Sequence, residues 1–179
     1  MTASVDYRLS PESTFGGGAG AGLGGVISVE TKAGATPQRF LVLPGWELTF
    51  SYSRRLLDGR GKAPFVVLGF SGGGSGAWTR REVLAGPTPS TSTLYAVDFR
   101  ASVVVGKTFW STLSPYAVFR AFGGPVLWGY GGQTVFATDL YHVQLGAGMV
   151  TLLPRGFDVF VEGIPLGERA VTLGVGKTF

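Results

Sequence analysis

Two stretches of this chain carry the same five residues, Val105-Gly106-Lys107-Thr108-Phe109 and Val175-Gly176-Lys177-Thr178-Phe179. A Gly-Lys-Thr core invites a phosphate-binding reading, in which loop amides and a lysine cradle phosphate oxygens. That loop requires another glycine five residues before the Gly-Lys pair, and a helix after it. Ala101 and Val171 stand there instead, and no helical pattern follows either copy. The repeat reads better as equivalent positions on two strands running the same way, each setting a lysine beside an aromatic residue.

Other chemistry is sparse. His142 is the one histidine and there is no cysteine, so no thiolate metal site or disulfide framework exists. No Gly-x-Ser-x-Gly elbow or His-x-Ser pattern accompanies His142, and the carboxylates are dispersed. No catalytic residue, cofactor site or metal site is predicted, and His142 is expected to act as an internal hydrogen-bonding group. The remaining chemistry-bearing residues are Glu47, Asp98, Arg100, Arg120, Asp158 and Glu162, each embedded in a segment that alternates apolar with small or polar residues. Charges confined to a narrow interior must pair or stay wetted. They form either a salt-bridge network that plugs an interior or the lining of a narrow ion path, and the same side chains serve both. Arg100 and Arg120 are each expected to bond Glu47, Asp98 or Glu162.

The elements that would position these residues are strands. Period-two alternation marks eight segments, roughly 14–29, 46–55, 65–79, 94–109, 116–128, 138–152, 157–164 and 169–179. In the fourth, Tyr95, Val97, Phe99, Ala101, Val103 and Val105 oppose Asp98, Arg100 and Ser102. In the fifth, Ala117, Phe119 and Ala121 are placed outward, which turns Arg120 inward. Short turns at 56–64, 110–115 and 153–156 alternate with longer connections at 30–45, 80–93 and 129–137, although 165–168 is short. An even strand count would put both termini on the short-turn side. Residues 1–13 are left open: Val5, Tyr7 and Leu9 alternate with Asp6, Arg8 and Ser10, and Pro11 favours a break before the first main strand.

Composition decides which face is outside. Only 15% of residues are charged, against about 25% in a soluble domain, mean hydropathy is +0.28 and glycine numbers 30. The net charge of +4 is scattered, which argues against a nucleic-acid surface. No apolar run approaches the roughly 18 residues of a membrane-spanning helix. Aromatic residues fall at strand ends and sort into two belts. Trp46, Trp78, Tyr95, Trp128 and Tyr141 lie toward the long connections, and Phe109, Trp110, Tyr116 and Phe179 toward the short turns. Two such girdles around an apolar band are what a bilayer selects, because amphipathic rings favour the headgroup zone. The face rich in Gly, Ser and Thr then fills a narrow interior, and the two repeat lysines can reach lipid headgroups.

The final strand, with Val171, Leu173, Val175 and terminal Phe179, resembles the C-terminal signature read by bacterial barrel-assembly machinery, with Lys177 in place of the usual second aromatic. In pattern, residues 14–179 resemble the eight-stranded outer-membrane barrels of the OmpA, OmpX and OmpW type. The resemblance implies an all-β, eight-stranded antiparallel up-and-down transmembrane β-barrel, preceded by an N-terminal segment 1–13. It implies a monomer in the bacterial outer membrane, in contact with membrane lipid or lipopolysaccharide and with the assembly machinery through its last strand. Met1 leads directly into Thr2-Ala3-Ser4-Val5-Asp6, so a native precursor is expected to carry a leader absent from this sequence. The expected role is structural or surface interaction, with a narrow pore for ions or small solutes as the alternative and a lipid-modifying enzyme as a distant third.

Overall fold

The structure is a computed structural model that describes residues 1–29, 38–81, 91–130, 132–138, 141–167 and 169–178. These form one antiparallel sheet of thirteen strands: β1 (Thr2–Arg8), β2 (Ser13–Gly22), β3 (Gly25–Val29), β4 (Gln38–Val42), β5 (Gly45–Asp58), β6 (Phe65–Arg81) and β7 (Thr91–Gly106), then β8 (Leu113–Gly123), β9 (Pro125–Tyr130), β10 (Gln133–Thr138), β11 (Val143–Leu152), β12 (Phe157–Leu166) and β13 (Ala170–Lys177). Apart from one 3-10 turn at Pro154–Gly156, no helix occurs among the described residues.

The count of eight is corrected to thirteen, and the closed cylinder to an open, curled half-barrel. Most of the added strands come from interruptions. β2 pairs with β5 as far as Gly22↔Gly45, and β3 with β4 resumes in the same register at Gly25↔Val42. Between them lie Gly24, at φ 93°, and Pro44, which has no N–H to give a ladder. β8 and β9 both pair with β7, from Phe99↔Gly123 to Ala96↔Val126, interrupted at Gly124. Rejoining these pieces leaves nine long segments in a meander.

The ninth segment is β1. The stretch left open in the sequence pairs with β2 from Thr2↔Gly20 to Arg8↔Thr14. Pro11 sits in the hairpin turn between them, where the Ser10 hydroxyl accepts from the backbone N–H of Glu12 and Ser13 at 3.2 and 3.0 Å. An odd number of segments places the chain ends at opposite rims. The Met1 ammonium donates to the Ala21 carbonyl at the long-connection rim, at 2.7 Å, whereas β13 ends beside the short turns. The long connections are also more ordered than expected: β4 lies within 30–45 and most of β10 within 129–137.

Alternation governs every long strand. Along β7, exposed and half-buried residues alternate without a break from Thr91 to Gly106. Tyr95, Val97, Phe99, Val103 and Val105 stand on the convex face, beside Leu48 and Phe50 of β5 and Phe70 and Trp78 of β6. Asp98, Arg100 and Ser102 stand on the concave face with Ser71, Gly73 and Ser75. The chain exposes 12356 Å². A folded soluble chain of this mass exposes roughly 8,300 Å², and the excess is carried in part by large apolar side chains of the convex face.

Gly124 is held by close backbone approach: a Cβ there would lie 1.7 Å from the Val97 carbonyl oxygen, whereas a Cβ on Gly74 would meet nothing nearer than 3.9 Å. Gly124→Ala is therefore expected to cost about 1–3 kcal/mol, in the range of overpacking substitutions, and Gly74→Ala less than about 0.5 kcal/mol. Denaturant unfolding of both variants in the same detergent checks this, and equal stabilities would contradict the close approach.

Candidate functional site

The concave face gathers the inward positions of all nine segments, and its two halves differ. β8, β11 and β12 bring in Val118, Phe122, Gln144, Glu162 and Ile164, all buried. β1, β2, β5, β6 and the middle of β7 present mostly Gly, Ser and Thr. There a cavity of about 690 Å³ opens, lined among others by Ser4, Asp6, Ser51, Ser71, Asp98 and Phe160.

Five of the six predicted charges separate into three groups, and the sixth, Asp158, lies over Gly176 of β13. Arg120 and Glu162 form a two-point pair across β8, β11 and β12, with Nη1–Oε1 at 2.7 Å and Nη2–Oε2 at 2.9 Å. The Tyr116 hydroxyl donates to Glu162 Oε2 at 3.0 Å. The carboxylate is thus held by three donors, which is how a buried charge is tolerated. Arg100 pairs with Asp98, two residues earlier on the same face of β7, and its guanidinium lies 5.9 Å from the Phe122 ring centre. Glu47 accepts a hydrogen bond from the Thr2 hydroxyl of β1. Instead of one network joining both arginines, each arginine has its own carboxylate. His142, expected in the interior, is instead exposed, with Nδ1 3.3 Å from the Phe122 carbonyl, to which an Nδ1–H donates. Its placement beside β8 supports the ladder end, where the Phe122 N–H donates to the His142 carbonyl at 2.9 Å.

Trp46, Trp78, Tyr95, Tyr141, Phe109 and Trp110 are exposed, as surface aromatics should be. Two of the predicted belt aromatics turn inward instead. Tyr116 bonds Glu162, as above. Trp128 is buried, donates through Nε1 to the Thr79 hydroxyl at 2.7 Å and meets the Phe40 ring edge-on, with centres 4.8 Å apart. The reason is parity: 116, 118, 120, 122, 126 and 128 share one face across β8 and β9, so the alternation that turns Arg120 inward turns both aromatics with it. Phe179 lies outside the described residues.

The repeat lysines also part company. Lys107 does not reach outward. Its ammonium donates to the carbonyls of Gly59 and Ala63 at 2.8 and 2.6 Å and to that of Gly61, tying down the β5–β6 turn. The Lys177 ammonium lies 5.2 Å from the Phe157 ring centre. The Phe40–Trp128–Thr79 cluster and buried Gln144 were not singled out in the sequence; face parity would have found Trp128 and Gln144, whereas Phe40 falls in a segment read as loop.

Comparison of the chain with protein-family models, curated proteins and solved structures gives no match. Among the described residues no helix is long and apolar enough to cross a membrane, and no cluster of three or more His, Cys, Asp or Glu could hold a metal ion.

The two arginine pairs differ in burial: the Arg120 and Glu162 side chains are 21% and 9% exposed, those of Arg100 and Asp98 40% and 35%. Glu162→Gln, which leaves Arg120 without a countercharge, is expected to destabilise by about 3–5 kcal/mol, and Asp98→Asn by about 0–1 kcal/mol. A double Arg120→Met, Glu162→Leu variant should recover much of the loss, because an apolar pair carries no desolvation penalty. Equal effects of the two single changes in denaturant unfolding would contradict this ranking.

Proposed function

We propose that this chain is an integral protein of a bacterial outer membrane, with its convex face in lipid and its concave face forming a polar interior, and that it serves a structural or surface-interaction role through the hairpins at its long-connection rim. The single observation carrying this reading is the apolar convex band. On β7 it runs from Tyr95 to Val105 at alternate positions, bounded by Thr93 and Thr91 beyond one end. A tilted strand needs about 9–11 residues to cross a bilayer, and Tyr95 to Val105 falls in that range. Equivalent bands run along β5, β6, β11 and β12, and the exposed Trp46, Trp78 and Tyr95 lie close together toward the same rim.

The rim above that belt suits a lipid headgroup zone. Arg80 stands one alternation beyond Trp78 on the same face of β6, opposite Leu41 and close to Arg39, and both arginines are exposed. Guanidinium groups there would meet the phosphates of lipid or lipopolysaccharide. Assembly in the membrane would engage β13 as the terminal strand. A second reading, a narrow pore for ions or small solutes, is favoured by the cavity of about 690 Å³ on the Gly- and Ser-lined half.

Spin labels at Val97, Phe99 and Val103 in lipid vesicles should report hydrocarbon, and labels at Asp98 and Arg100 a polar setting. The reverse pattern, or a protein that stays monomeric without detergent, would overturn the membrane reading. Planar-bilayer recordings decide between the two roles: steady channels altered by Arg100→Ala would replace the structural role with the pore.

A further inference from the structure

The sheet has two free edges: among the described residues β1 pairs only with β2 and β13 only with β12. An unpaired edge presents a row of N–H and C=O groups that template another strand. In hydrocarbon such an edge is untenable, since no water satisfies it. We infer that the two edges are each other's partners: β13 pairs in parallel with β1 of the same chain, closing the nine segments into one barrel.

The direction follows from the registers. β1 descends from Thr2, opposite Gly20, to Arg8, opposite Thr14 beside the β1–β2 turn. β13 descends from Ala170, opposite Ile164, to Lys177, opposite Phe157, which follows the short turn at 153–156. Eight antiparallel steps separate the two strands, so both run the same way and only a parallel ladder can join them.

The strands also match in length and facing. β1 has seven residues and β13 eight. Ala3, Val5 and Tyr7 lie on the convex face and Thr2, Ser4 and Asp6 on the concave one. Val171, Leu173 and Val175 are convex, while Gly174 and Gly176 lie under the concave side chains of Phe160 and Asp158. Pairing therefore continues the apolar band without a break. The ends of the sheet already face one another: Phe160 of β12 and Thr2, Ser4 and Asp6 of β1 wall the same cavity. Exposure marks where the missing neighbour belongs. Val171, Leu173, Val175 and Val5 are 77%, 74%, 72% and 78% exposed, against 36% for Val97 and for Val103 on the doubly flanked β7.

The inference rests on the membrane reading for the cost of open edges, but its test is separate. The chain has no cysteine, so paired cysteines report without background. Val5→Cys is combined in turn with Val171→Cys, Leu173→Cys and Val175→Cys in the full chain, reconstituted in phosphatidylcholine vesicles and mildly oxidised. Neighbouring strands lie about 4.8 Å apart, within disulfide reach. The expected result is a reductant-sensitive intrachain bond in at least one pair, seen as faster migration of most of the monomer, and none in the control Val5→Cys with Val103→Cys. Disulfide-linked dimers instead would assign the edges to a second copy and overturn the inference, as would vesicle-bound protein with no bond in any of the three pairs. Flotation of the same samples reads the membrane proposal independently: protein that fails to float yet forms the intrachain bond keeps the closure and loses the membrane.

Discussion

Every face, belt and cavity of this molecule depends on one ladder. β6 and β7 pair residue for residue from Phe65↔Gly106 to Arg80↔Thr91 without a register shift. Side chains in a strand alternate strictly, so a slip of one residue would exchange the two faces entirely. Trp78, Phe70, Phe99 and Val97 would turn inward, and Asp98, Arg100 and Ser71 would meet the outside. Because one face is bulky and apolar and the other small and polar, no neighbouring register approaches this one in energy. The glycines sharpen the choice. Gly72 lies under the rings of Phe50 and Phe99 on the convex face, and Gly76 under the indole of Trp46, so large side chains on flanking strands find room only where the central strand has none.

The same ladder explains why the interior is uneven. A narrow interior has little room, and side chains on opposing walls compete for it. β8, β11 and β12 spend that room on Val118, Phe122, Ile164 and the Arg120–Glu162–Tyr116 cluster. The strands from β1 to β7 answer with small residues: Gly16, Gly18 and Gly20 of β2 face the side chains of Asp6, Ser4, Thr2, Ser51, Thr49 and Glu47. The pair that is most enclosed is also the one with the most donors, as the cost of desolvating a carboxylate demands. The pair beside the cavity, Asp98 with Arg100, retains solvent and needs fewer partners.

How much of this was legible in the sequence depended on the period. Alternation over ten or more residues, as in β6, β7 and β11, located the strands and assigned Glu47, Asp98, Arg100, Arg120 and Glu162 to one face. What failed was the inference from position along a strand to environment. Trp128 and Tyr116 lie near strand ends, where a belt was expected, but they share parity with Arg120, and parity wins because the pleat permits no exception short of a bulge. The strand count failed for a different reason. Gly24, Pro44 and Gly124 interrupt hydrogen bonding without ending the course of the chain, and a single sequence does not distinguish an interruption from a loop. β1 escaped because seven alternating residues followed by Pro11 read equally as a tail, and only the register with Gly16, Gly18 and Gly20 shows why a strand with Asp6, Ser4 and Thr2 is accommodated there.

The repeated pentapeptide carries the last step. The identical residues 105–108 and 175–178 sit at the same end of strands running the same way, yet their lysines do different things. β7 has a paired neighbour on each side, and beside it the β5–β6 turn bends back with Gly59 and Gly61 at φ 76° and 58°, aiming its carbonyls at Lys107. Among the described residues β13 has a paired neighbour on one side only. Its corresponding neighbour is the β11–β12 turn, but that turn is the short 3-10 one at Pro154–Gly156, whose Gly156 carbonyl accepts from the Thr178 N–H. A lysine at a strand end takes its role from the turn of the neighbouring hairpin, so two copies of one sequence diverge where those turns differ. The exposure of Val171, Leu173 and Val175 has a separate cause, the lack of a paired neighbour on the far side of β13 among the described residues: the sheet's last strand has the composition of an interior strand and the surroundings of a border.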